Sequence, residues 1–200
     1  MDGQEFTDTL RDAHETPLSR LGSSKWVYAL TDGEMDGDAV VAAWGAEASA
    51  TRETFEGWAE HESSDDAASV FADVAAFAAE HGGDSEVEPS PMYEALTSLD
   101  ETAARAGGLL GWTLVAEKTL AQLVGFFVGD ADPSTANTFR ERKSAVQQRR
   151  EEAESLLDDV CSDDESWAAA RAGADAVVEA AYADYVETLE SMGIKPKNVC

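Results

Sequence analysis

The chain has 200 residues, 41 of them Asp or Glu and 14 Lys or Arg, for a formal net charge of -27. Hydrophobic residues make up 44%, which excludes an acidic disordered chain and puts the charge on a folded body. No apolar run approaches the roughly 18 residues of a membrane span, and two cysteines make neither a disulfide framework nor a zinc site.

In dilute buffer a surface this acidic repels itself and loosens the compact state. In molar salt, where the Debye length is about 3 Å, that repulsion is screened. The composition is that expected of a halophile's protein. The acidic start Met1-Asp2-Gly3-Gln4-Glu5 lacks the basic character of a secretory signal, so a cytoplasmic location is expected. Alanine-rich blocks such as Ala75 to Ala79 recur and alternating β-branched runs are nearly absent, which predicts an all-α fold.

A short N-terminal helical element is predicted over 2–30, broken near Thr16, where Thr16-Pro17 puts a capping residue before proline. The next helix, 36–61, carries the stripe Val40, Trp44, Glu47, Thr51, Phe55, Trp58, whose steps of three and four place Glu47 on the apolar face. A carboxylate there either reaches water at the stripe's edge or needs a cation or several donors to stay charged. A helix at 64–81 opens on Ser64, Asp65 and Asp66 and ends at His81, where a histidine suits the helix dipole.

The segment 91–128, after Ser90-Pro91, repeats the pattern, with Glu117 between Leu114 and Ala121. Gly107, Gly108 and Gly111 either split it or let a neighbouring helix approach closely. It is apolar nearly all round, so it must be covered on every side. The expected cover is a homodimer with Trp112 and Phe126 at the interface; the other solution is packing by the chain's own terminal helices.

The helix at 133–160 starts at Asp132-Pro133 and gathers Arg140, Arg142, Lys143, Arg149 and Arg150 within eleven positions. Lys143 and Arg150 flank the seam Phe139, Val146, Ala153, Val160, placed to meet inward carboxylates, with Arg150 a guanidinium fork for Glu47 or Glu117. The bland reading is a solvated face pairing with Glu141, Glu151 and Glu152. Aromatic interleaving is poor, so a nucleic-acid site is not favoured. A last helix, 163–192, follows a capping box at Ser162 to Glu165, and a Lys-Pro-Lys tail ends at Cys200, too far from Cys161 for an intramolecular bond.

On these residues the chain resembles the ferritin-like superfamily, and within it rubrerythrin-like proteins, here of a halophilic archaeal type. Glu47 matches the single Glu of that family's first core helix, Glu117 that of the third, and His81 the His of the second helix's Glu-x-x-His. Ala78 stands where that motif's Glu would be, and Gln147 to Arg150 has the spacing of the fourth helix's motif with neither ligand type.

The resemblance implies one domain, 1–200, with an up-and-down four-helix bundle over 36–160, an N-terminal helical element over 1–35 and a C-terminal helix and tail over 161–200. It also implies a di-iron ancestor. With three of six ligands missing, the expectation is a bundle that has lost its metal centre, carries no cofactor and acts by binding or assembly with a protein partner. The alternatives are a rearranged iron-dependent oxidoreductase using Glu47, His81 and Glu117, or an acidic helical adaptor, for example in transcription.

Overall fold

A computed structural model describes residues 1–82 and 88–196, and within them every regular element is a helix. Cys200 and the end of the basic tail lie outside the described residues. Three short helices open the chain, α1 (Gly3–Ala13), α2 (Glu15–Leu21) and α3 (Ser24–Leu30). A helical hairpin follows, α4 (Gly37–His61) and α5 (Asp65–Ala79). The short α6 (Met92–Thr97) then leads into three long helices, α7 (Thr102–Gly129), α8 (Pro133–Val160) and α9 (Asp164–Ser191). None is long and apolar enough to cross a membrane.

Helix starts follow the capping residues. Asp132 accepts from the backbone N–H groups of Ser134 and Thr135 with Pro133 at the first helical position, and Ser64 accepts from Ala67. The start of α9 is set one residue later than expected, because Asp163, not Ser162, exchanges both bonds of a capping box with Ser166. The expected segment 91–128 is indeed divided, but at Ser98–Glu101 and not at its glycines. The Arg105 side chain holds that break, donating from Nε to the Leu99 carbonyl at 3.0 Å and pairing with Glu62, just past the end of α4, at 3.3 Å.

The glycines serve close approach. A Cβ on Gly107 would run into the Ala170 carbonyl, one on Gly173 into that of Ala104, and one on Gly111 would lie 2.9 Å from that of Ala174. Small residues thus let the backbones of α7 and α9 touch, and α8 closes the other flank of α7. The α4–α5 hairpin reaches this layer through large side chains: Phe55 meets Trp112 edge-on at 5.6 Å, and Trp44 meets Phe139 at 6.4 Å. One apolar core results, running from Phe6 to Leu189, with α9 contributing Ala170, Ala174, Val177, Val178, Ala181, Tyr185 and Leu189.

The cover for α7 therefore comes from within the chain. Trp112 is 2% exposed, packed between Phe55 and the Tyr93 hydroxyl, and it offers nothing to a second subunit. Its place as an interface residue is corrected accordingly. Phe126 is half-buried against Phe127, and Val128 is exposed. The N-terminal helices are fastened by polar ties. The buried His14 ring lies 2.7 Å from Asp175 of α9, Thr7 donates to Glu154 of α8 at 2.9 Å, and Trp26 Nε1 donates to Thr119 of α7 at 2.7 Å.

Candidate functional site

Glu47 sits on the apolar face of α4, as its stripe position requires, and is only 6% exposed. No cation meets it. Its Oε1 accepts the backbone N–H of Ser90 at 2.7 Å, while its main-chain carbonyl accepts the hydroxyls of Thr51 and Tyr93 at 2.7 and 2.8 Å. Tyr93 is itself buried, within 2.8 Å of Thr51 Oγ1 and taking a long bond of 3.4 Å from Trp112 Nε1. Burial pushes the Glu47 carboxyl up to about 7, because desolvation outweighs the donors from Ser90 and Tyr93, with Asp184 adding a smaller push.

Asp184 reaches the same place from α9. It accepts from Ser90 Oγ and Thr188 Oγ1, both at 3.4 Å, and burial raises its carboxyl as well. Ser90 thus ties the two acids, giving its N–H to one and its O–H to the other. They open on a cavity of about 530 Å³ between the α3–α4 turn, α4, the entry to α6 and α9, with Asp32 and Glu88 also on its wall. Asp32 holds a left-handed backbone, φ 48°, in the turn that forms one side. The arrangement can hold and release a proton near neutrality, and it presents carboxylates to whatever enters.

Glu117 is in a different setting. Arg150 of α8 donates from Nε to Glu117 Oε1 at 2.9 Å and from Nη1 to Glu154 Oε1 at 2.7 Å, with all three side chains 15–18% exposed. Burial works against the Arg150 charge, but the bonds to Glu117 and Glu154 outweigh it and hold the guanidinium above the ordinary arginine range. Lys143, the other cation beside the seam, is half-buried and makes no ion pair among the described residues. Glu117 lines a cavity of about 290 Å³ with Arg11, Glu15 and Lys118.

His81, half-buried at the end of α5, lies edge-on to Phe77 at 4.9 Å, and burial together with nearby Arg142 lowers its basicity. It lines a third cavity, against α8. Glu47, His81 and Glu117 therefore face three separate cavities. Among the described residues no three His, Cys, Asp or Glu side chains are grouped to hold a metal ion. A di-iron centre asks for clustered anionic oxygen donors, and this donor set does not fit one.

Sequence reasoning missed Ser90, Tyr93 and Asp184. Asp184 lies in an alanine-rich helix among other acids and carries no local mark of burial, and Ser90 and Tyr93 reach Glu47 only through tertiary contact. Cys161 is buried, with its thiol pushed up to about 11 by burial and by Asp158 and Asp163, which makes it an inert packing residue. No known protein family, curated protein or solved structure matches the chain.

Proposed function

We propose that this chain is a ferritin-like bundle that has lost its di-iron centre and acts by binding or assembly, in a salt-rich cytoplasm that its charge of -27 suits. One observation carries the reading. Where the fourth core helix of the resembled family presents metal ligands, this chain presents Arg150, whose guanidinium bonds Glu117 at 2.9 Å and Glu154 at 2.7 Å. A fixed positive charge thus neutralises carboxylates that a metal would otherwise hold together. Glu47, the other matching glutamate, is satisfied by a backbone N–H on a separate cavity.

The test is iron content and ferroxidase activity of protein purified in molar KCl and loaded anaerobically with Fe(II). The expected result is well under one iron per chain and no oxidase turnover. Two irons per chain, lost together in Glu47→Gln and Glu117→Gln, would overturn the reading in favour of the rearranged oxidoreductase. Self-association is one form of assembly, and the apolar side chains open to it include the exposed Met1, Met35, Val41 and Val128 and the half-buried Phe126. Light scattering in molar KCl checks it: a species near twice 21.3 kDa is expected, and a monomer at micromolar concentration counts against pairing.

A further inference from the structure

The cavity beside Glu47 carries negative charge with nothing to balance it. Glu47 and Asp184 form its inner wall and the exposed Asp32 and Glu88 its rim, and none of the described residues lining it is Lys, Arg or His. Glu47 is more than nine-tenths buried, yet its two carboxyl oxygens are unequally served. Oε1 accepts the Ser90 N–H at 2.7 Å, while Oε2 makes no hydrogen bond or ion pair among the described residues. The Tyr93 hydroxyl is committed to the Glu47 main-chain carbonyl at 2.8 Å. Oε2 is not sealed in by protein, and it opens on the cavity.

Asp184 is scarcely better supplied, with its two long bonds from Ser90 and Thr188, and Asp32 and Glu187 add negative charge around it. Folded proteins meet a buried carboxylate with a cation or with several donors, and here an oxygen with neither faces open space. The missing partner is therefore a cation with hydrogen to donate. A bare divalent ion does not suit the place, since it takes about six or more close oxygens and no three acids are grouped for it among the described residues. A volume of about 530 Å³ suits a small organic molecule, and between the acids the wall is apolar, from Leu30, Ala43, Pro89 and Pro91.

We propose that this cavity binds a small aliphatic amine, its ammonium donating to Glu47 Oε2 and Asp184 and its carbon chain lying along the apolar wall. Charge-assisted donation serves the free oxygen, and the methylenes cover Leu30 and the prolines as a lysine stem would. The acidic rim concentrates cations at the entrance. A contact on the inner wall is screened by salt less than one at the surface, so the site can work in a salt-rich solvent. The inference uses the carboxylates as they stand and does not depend on ferritin-like descent, which iron loading tests separately.

The experiment uses the full chain, stripped of metal by a chelator and labelled with ¹³C at the Asp and Glu carboxyls, in molar KCl at pH 8. The probe is putrescine, a short diamine. The Glu47 and Asp184 signals should move together on one saturable curve, while Glu117, on a different cavity, stays still. Glu47→Gln should weaken the affinity read at Asp184 at least about ten-fold, at unchanged helical circular dichroism. Two further titrations fix the chemistry: MgCl₂ brings charge without an apolar body, and N-permethylated putrescine brings charge and body without an N–H. Either one matching putrescine in affinity would overturn the proposal. So would shifts that never saturate, or that spread evenly over the chain's acids. Should Glu47→Gln unfold, Asp184→Asn takes its place with the affinity read at Glu47, and an unchanged affinity there rejects the site.

Discussion

Glu47 and Glu117 each stand on the apolar stripe of a long helix, yet the protein accommodates them by opposite means. Glu117 is given a cation from the next helix and shares it with Glu154. Glu47 is given a backbone N–H, no cation among the described residues and a second acid nearby, and its carboxyl moves up to about 7. The difference follows from what lies opposite. α7 faces the basic run of α8, while α4 at Glu47 faces the entry to α6 and the acidic side of α9. One glutamate is a structural ion pair; the other is a titrating group beside a cavity.

The largest expected effect comes from breaking the first arrangement. Arg150→Met leaves Glu117 and Glu154 facing each other without a cation, and it should cost about 2–4 kcal/mol at pH 7 in denaturant unfolding, somewhat less than a fully buried pair would. Arg150→Lys should restore only part, because an ammonium cannot span both carboxylates as the fork does.

The second arrangement responds with the opposite sign. The folded-state carboxyl of Glu47 lies near 7 against an ordinary 4.5, so folding favours its protonated form. Its contribution is fully present below about 4.5 and is lost as pH rises through 7, a difference of about 3 kcal/mol at most. Asp184, also raised, acts in the same direction. Glu62 acts in the other: burial is outweighed by bonds from Thr102, Ser63, Ser64 and Arg105, so its contribution is lost as pH falls. Glu47→Gln isolates the first effect. It should stabilise the protein by about 1–3 kcal/mol at pH 8, have little effect near pH 4, and remove the pH 4.5–7 slope that wild type shows beyond it. A variant less stable than wild type at pH 8 would mean that the carboxylate has a cation after all.

Smaller effects sharpen the contrast. Tyr93→Phe removes the hydroxyl that serves the Glu47 carbonyl, Thr51 and Trp112, and should lower stability by about 1–2 kcal/mol in thermal unfolding. Glu154→Gln, which leaves Arg150 its bond to Glu117, should cost under about 1 kcal/mol by the same measurement.

The parts of this picture that were legible in the sequence are those written locally. Asp132-Pro133 and Ser64 announced their helices, and the stripes singled out Glu47 and Glu117. The position of Arg150 beside the α8 seam pointed to the carboxylate it meets. The break at Ser98–Glu101 was illegible because neither Gly nor Pro marks it; Arg105 and Glu62, the latter from the distant α4–α5 connection, hold it open. The glycines of α7 were visible, but that they meet Ala170 and Ala174 depends on how α9 packs. Asp184 reads as one more surface acid of a very acidic chain until the fold places it beside Ser90.

Glu47 and Glu117 stand in separate environments, and neither is expected to serve a metal. The measurement that tests this most directly is a ¹³C carboxyl titration of the glutamates by nuclear magnetic resonance, without and with one equivalent of Zn(II) as a redox-silent stand-in for iron. Glu47 is expected to titrate near 7 in both cases, with both glutamates unmoved by Zn(II). A Glu47 midpoint driven below 5 by Zn(II), with Glu117 shifting at the same time, would place both carboxylates on one metal and contradict it.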